Sequence, residues 1–236
     1  MNKKRDCGYW VTRKFTWKVS AAVMFALNLT LQGTALAQNA NDRAGDIKLW
    51  RDQCNDSDPD LRTAYVEEAI ATKGTTIKRI CVRLAMESSD DDVRNLGLRA
   101  AIAMLKEISF KVEIQPELQQ YISDAGDDKK KLEEINNTYN MRMYQIIKNG
   151  LTFGITEATV ATDRSTWFPY GSLATPSDNY QGPTSIVGDE INWVGNINLD
   201  GNYKCRLNAT LGNGTQLVGE LQCGSYWAFP VSAKLL

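Results

Sequence analysis

The sequence predicts an α+β protein in which a helical segment is followed by an antiparallel β-meander. After about ten polar residues, Gln38 to Asp46, the segment to Gly150 is charged, poor in glycine and proline, and apolar at helical spacing. From Leu151 onward glycine, asparagine and aromatic residues increase and the apolar period falls to two. We therefore predict a signal peptide over residues 1–37, a helical domain over 38–150 and an antiparallel β domain over 151–236.

The amino terminus has the pattern of a cleavable signal peptide. Basic residues dominate its first part, and the uncharged stretch from Val19 to Gln38 is too short for a membrane span. Ala35 and Ala37 are the small residues that signal peptidase requires, so we expect cleavage after Ala37. The mature protein would then reside in a bacterial periplasm or be secreted, with no integral membrane segment.

Charge and composition exclude several functions. Removing residues 1–37 takes six basic groups and one acidic group from totals of 27 and 28, which leaves a net charge near −6. Nucleic-acid binding needs a basic face, so no nucleic-acid partner is predicted. The chain contains no histidine, which excludes Ser-His-Asp and Cys-His catalysis and histidine-bound metals. We predict no cofactor and no metal.

Four cysteines follow the signal peptide, one pair in each half: Cys54, Cys81, Cys205 and Cys223. An even count in an oxidising compartment indicates disulfides, and the local pairing of Cys54 with Cys81 and Cys205 with Cys223 is one of three possibilities.

The strands of the β domain are predicted at 190–199, 203–211, 216–223 and 226–235, with odd positions buried. A loop of odd length about Gly214 keeps the apolar residues on one face. It places Leu211 opposite Leu217, Leu207 opposite Leu221, and Cys205 opposite Cys223. The same argument about Gly201 predicts the pairs Leu199 with Tyr203 and Ile197 with Cys205.

The helical half contains an internal repeat. The segment Ser57–Arg62 recurs as Ser89–Arg94, and each copy is followed by Ala-Ile-Ala. Each copy has the composition of a helix start, with Asp or Ser as the cap. A further helix is predicted from about Thr75 to Met86, and another follows Asp127 and Asp128 and continues to about Lys148.

The Asp-x-x-Val/Leu-Arg pattern at 58–62 and 90–94 resembles HEAT-like helical repeats over about residues 45–110. That resemblance implies protein binding rather than catalysis. A small helical bundle whose helices share a cap style is the alternative. We recognise no family resemblance in the carboxy-terminal half.

Aromatic residues concentrate in a segment that is expected to be a loop. Trp167, Phe168, Tyr170 and the nearby Tyr180 are candidate binding residues, because aromatic side chains on loops contact sugars or peptides. Alternatively, these rings cover the end of the sheet or fill the contact between the two halves.

Two acidic patterns are weaker candidates. Asp56, Asp58, Asp60 and Glu67 match positions of a calcium-binding loop, but Leu61 lies where glycine is required, so helix capping is favoured. A carboxylate pair could cleave glycosides, and acidic residues cluster between the halves: Glu157, Asp163, Asp178, Asp189 and Glu190.

These observations favour a non-catalytic binding or adaptor module of the bacterial cell envelope. Its partner would be another envelope protein, engaged through the helical surface or the aromatic segment. The alternatives are a carboxylate-dependent hydrolase acting on cell-wall glycan and an inhibitor or immunity-type protein directed at a secreted enzyme.

Overall fold

The computed structural model describes residues 24–170, 180–199, 201–225 and 228–236, with side chains from residue 39 onward. The chain divides into two compact units, Met1–Asp46 and Ile47–Leu236. Residues 1–23 of the predicted signal peptide lie outside the described residues. None of the described helices is both long and apolar enough to cross a membrane.

Helices precede a β-barrel, which confirms the predicted α+β class. The helices are α1 (Met24–Gln53), α2 (Pro59–Thr72), α3 (Thr75–Met86), α4 (Asp91–Ala103), α5 (Pro116–Ala125), α6 (Lys129–Asn136) and α7 (Tyr139–Ile147). The strands are β1 (Glu107–Val112), β2 (Leu151–Thr156), β3 (Arg164–Tyr170), β4 (Gly182–Val187), β5 (Glu190–Asn198), β6 (Asn202–Leu211), β7 (Gln216–Cys223) and β8 (Phe229–Lys234).

The two repeated acidic segments begin helices, as the sequence predicts. Asp58 Oδ1 accepts hydrogen bonds from the backbone N–H groups of Asp60 and Leu61 at the start of α2. Asp90 Oδ1 accepts from Asp92 and Val93 at the start of α4. Each cap satisfies amides that have no partner within the helix.

After these caps the two copies of the repeat diverge. The first copy continues into the helix pair α2 and α3, whereas α4 is followed by the strand β1. The second copy therefore lacks the following helix that would complete a second helix pair. The helix predicted from Asp127 to about Lys148 is also divided, because Thr138 caps a new helix, α7, by accepting from the N–H of Met141.

A small core holds α2, α3 and α4 together with the end of α1. Its buried members are small or medium in size: Cys54, Val66, Ala69, Cys81, Ala85, Val93 and Leu96. The disulfide Cys54–Cys81 lies within this core and joins the residue after α1 to α3. Gly97 permits the close crossing of α4 over α3, because a Cβ there would lie 2.6 Å from the backbone nitrogen of Met86.

All eight described strands form a closed antiparallel barrel in which each strand pairs with its neighbour in sequence and β8 pairs back with β1. Alternation places one side of every strand inside. The interior is filled by large side chains, including Phe110, Phe153, Trp167, Trp193 and Phe229. The ring centroids of Phe153 and Trp193 are 4.9 Å apart. The barrel is therefore a packed core rather than a container.

The disulfide Cys205–Cys223 links β6 to β7. The three residue pairs predicted between these strands, including the two cysteines, are opposite each other in the structure. Both disulfides thus have the pairing that the sequence favoured. They indicate an oxidising environment, extracellular or periplasmic.

The predicted register between β5 and β6 is wrong by two residues. Ile197 lies opposite Tyr203 and Gly195 opposite Cys205, because the turn lies one residue earlier than predicted, with Asn198 opposite Asn202. A shift of two residues leaves every side chain on the same face. The apolar pattern could not distinguish the two registers, and the turn geometry decided between them.

The strands β1 to β4 were not predicted. β1 lies within the range assigned to the helical domain, yet it pairs with both β2 and β8 and closes the barrel. Its sequence Glu-Ile-Ser-Phe-Lys-Val alternates strictly, with Ile108, Phe110 and Val112 inside. This alternation was visible in the sequence, although the surrounding helical periods obscured it.

α4 connects the helices to the barrel. Leu98, Ala101 and Ile102 join the core of the barrel, while Val93 and Leu96 on the same helix join the helical core. At the start of the helix, Arg94 forms an ion pair of 3.1 Å with Asp189, and the Asn95 amide donates to the carbonyl oxygen of Gly188 at 2.8 Å.

Candidate functional site: a stripe across the outside of the barrel

The predicted aromatic segment is a strand rather than a loop, and this divides its residues between two environments. Trp167 is fully buried inside the barrel, where its indole N–H donates to Ser165 Oγ at 2.9 Å. Phe168 and Tyr170 alternate with it and lie on the outer face of β3. Pro169 lies within the strand, opposite Phe153 of β2.

Phe168 and Tyr170 form an aromatic pair on the outside of the barrel. Their ring centroids are 5.0 Å apart in an edge-to-face arrangement, and Tyr170 is 36% exposed. Phe168 lies opposite Gly154 of β2, and a Cβ at Gly154 would be 2.2 Å from the Phe168 ring. The glycine therefore allows the ring to lie against the sheet. Tyr180 is half-buried just before β4.

A row of hydroxyl groups continues from this aromatic pair. Tyr170 lies opposite Thr152 on β2, and Thr152 lies opposite Ser109 on β1. The hydroxyl oxygens of Ser109 and Thr152 are hydrogen-bonded at 2.7 Å. Since register partners share a face, the three side chains cross three strands in one line.

The line continues into a shallow groove over β1, β8 and β7. Ser109 is one of its lining residues, and its volume is about 550 Å³. Lys111, Lys234 and Thr215 also line it. Lys111 Nζ donates to Glu113 Oε1 at 2.7 Å, and this hydrogen bond and the carboxylate charge raise the pKa of Lys111.

A second groove, of about 430 Å³, adjoins the first and shares Thr215 and Lys234 with it. Arg79 and Arg83 of α3 also line it. These two residues are four positions apart, so they lie on one face of the helix. Three basic residues from α3 and β8 thus line one groove beside the turn between β6 and β7.

We call the whole surface the outer stripe. It begins at an aromatic pair, passes along hydroxyl groups and ends at a cluster of cations. Its members are Phe168, Tyr170, Thr152, Ser109, Lys111, Lys234, Thr215, Arg79 and Arg83. Sequence reasoning found only the two aromatics, since the others are brought together by the pairing of β1 with β2 and β8 and by the position of α3.

Three of the acidic residues considered for catalysis have structural contacts. Asp189 pairs with Arg94, and Glu157 accepts a hydrogen bond of 2.8 Å from Thr166. Asp163 lies 4.0 Å from the Arg164 guanidinium, and Glu190 is the first residue of β5. Asp178 lies outside the described residues.

Two residues of the calcium-like pattern, Asp56 and Asp58, serve the start of α2. Asp58 is its cap, and the Asp56 carboxylate accepts from the N–H of Asp58 at 2.9 Å. The carbonyl oxygen of Asp56 also accepts from the Arg62 guanidinium. No group of three or more potential metal ligands occurs among the described residues.

Comparisons with protein-family models, with curated proteins and with solved structures found no match to this chain. Its function must therefore be inferred from the site itself.

Proposed function

We propose that the chain is an exported, non-catalytic protein-binding module of the bacterial cell envelope, and that it engages its partner through the outer stripe. The observation that carries this proposal is the aromatic pair on the outside of a barrel whose interior is full. Phe168 and Tyr170 form their edge-to-face contact against Gly154 instead of entering the core.

The filled interior directs recognition to the outer surface. Small-molecule carriers among barrels keep an internal cavity, whereas here the centre holds two tryptophans and three phenylalanines with exposures of 0–1%. Outside, tyrosine and phenylalanine beside hydroxyl groups form the kind of surface that is enriched at protein interfaces. A partner with an apolar side chain and hydrogen-bonding backbone would fit this end of the stripe.

Export is the second part of the proposal. It is supported by the signal-peptide pattern before Gln38 and by the two disulfides, which persist in oxidising compartments. The hydrolase alternative has less support, because it requires two opposed carboxylates, whereas Asp189 is held by Arg94 and Glu157 by Thr166.

Site-specific crosslinking in living cells tests both parts. A photoreactive phenylalanine analogue replaces Tyr170 in one variant and Val194, which is 43% exposed on β5, in a control. We expect a mature chain beginning at Gln38 in the periplasm or medium, and a defined crosslinked protein from position 170 but not from 194. Adding Gly154→Ala should reduce that product severalfold, because the new Cβ displaces the Phe168 ring.

Three outcomes would overturn the proposal: retention of the whole chain in the cytoplasm, identical products from positions 170 and 194, or a yield at position 170 that Gly154→Ala leaves unchanged. Circular dichroism of the purified variants verifies that each is folded. Loss of crosslinking in an unfolded variant is thereby distinguished from loss of the binding surface.

A further inference from the structure

We infer that the cationic end of the outer stripe binds a carboxylate-rich segment of the protein partner. This inference rests on the proposed function and names the chemistry of the partner. The site is the groove of about 430 Å³ between α3 and the turn that joins β6 to β7, with Arg79, Arg83 and Lys234 around it.

The convergence of charge is the first observation. Within the part of the chain that the structure describes, Arg79, Arg83 and Lys234 form no ion pair. Glu87 is the one carboxylate side chain lining the groove. Three basic residues around one groove make the local electrostatic potential more positive, which favours binding of an anion there.

The contrast with the rest of the chain is the second observation. After residue 37 acidic groups outnumber basic ones by six. Three basic residues around one groove on an acidic protein form a distinct surface, suited to long-range attraction of an acidic ligand.

The shape of the surface favours a chain over a single small anion. The groove shares Thr215 and Lys234 with the neighbouring groove of about 550 Å³, which leads through Ser109 towards Tyr170. Ile80 and Leu236 also line the cationic groove, so apolar stems of glutamate side chains would find contact there. Arginine guanidinium groups bind carboxylates through two parallel hydrogen bonds.

Fluorescence anisotropy with a labelled hexaglutamate peptide tests the inference on the mature, oxidised protein. The double variant Arg79→Gln and Arg83→Gln removes two charges from the groove, and Lys129→Gln with Lys130→Gln removes two exposed charges from α6 as a matched control. We expect the first variant to lose affinity about tenfold and the control to remain within about twofold. A hexaglutamine peptide should not bind.

Several results would overturn the inference. Equal losses in the two variants would mean non-specific attraction by net charge. Displacement of the peptide by millimolar inorganic phosphate would identify a simple anion site, and binding of the wild type but not the variant to phosphatidylglycerol vesicles in place of the peptide would identify a lipid surface. Crosslinking at position 170 does not depend on these measurements. If crosslinking succeeds and the peptide-binding test fails, the proposed function stands and only the inference of an acidic partner is contradicted.

Discussion

The helical region from α2 to α4 and the barrel are stabilised in different ways. The helical core consists of alanine, valine, leucine and two cysteines, with a disulfide inside it. The barrel core contains fully buried tryptophan and phenylalanine. The strands around it are hydrogen-bonded into a closed ring. Buried apolar area is the main stabilising contribution to folding, so the barrel should be the more stable of the two.

The repeated arginine shows the same contrast at one position. Arg62 in the first copy donates to Ser88 Oγ at 2.7 Å and to the carbonyl oxygen of Asp56, all within the helical region. Arg94 in the second copy pairs with Asp189 on the barrel. Two nearly identical sequence segments therefore serve different purposes: one ties helices together, and the other attaches them to the barrel.

The largest expected effect comes from the barrel core. Trp193 is fully buried against Phe153, so Trp193→Ala should lower the free energy of unfolding by about 3–5 kcal/mol. In the helical core, Val93→Ala removes fewer buried atoms and should cost about 2 kcal/mol or less. Urea denaturation followed by circular dichroism measures both. Equal losses would contradict the view that the barrel carries most of the stability.

Removing each disulfide should affect the stability of the two regions differently. The bridges span 27 and 18 residues, so chain entropy predicts a loss of about 3 kcal/mol for each. Replacing Cys54 and Cys81 by Ser should accelerate amide hydrogen exchange in α2 and α3, because few large side chains hold them. Replacing Cys205 and Cys223 by Ser should leave β6 and β7 paired, since those cysteines lie opposite each other in a continuous ladder.

Amide hydrogen exchange, measured by mass spectrometry on the oxidised protein and on the two disulfide variants, resolves these segments. If β6 and β7 without their disulfide exchange faster than α2 without its disulfide, the barrel depends on its disulfide more than on its core. That result would contradict the greater intrinsic stability expected of the barrel.

The helix caps give the smallest expected effect. Asp58→Ala and Asp90→Ala each remove a side chain that satisfies two backbone N–H groups, at a cost of about 1 kcal/mol. Asp90 begins α4, which enters both cores, whereas the buried residues of α2 belong to the helical core. Asp90→Ala should therefore increase exchange in β4 as well as in α3. An effect of Asp58→Ala on β4 of the same size would show that the regions unfold as one.

Local features of the fold could be predicted from the sequence. The caps at Asp58 and Asp90 and the register of Cys205 with Cys223 depend on residues close together in the chain. Trp167 could not be placed in this way. Its position inside, and that of Phe168 outside, follows from a strand whose neighbours β2 and β4 were not identified.

The cationic groove could not be predicted from the sequence either. Arg79 and Arg83 precede Lys234 by most of the chain, and each taken alone is an ordinary exposed residue. Only one end of the candidate site, Phe168 and Tyr170, was therefore predicted.

By itself, the sequence determined which residues are capped, which face of each late strand is buried and which cysteines can meet, since these follow from periods of two or 3.6 and from nearby turns. The tertiary structure decided that the sheet closes, because Lys111 of β1 must pair with Ser232 of β8, although about half of the chain separates them. That closure fills the interior, leaves Phe168 and Tyr170 outside and places Ser109 and Lys111 beside Lys234 in a single stripe.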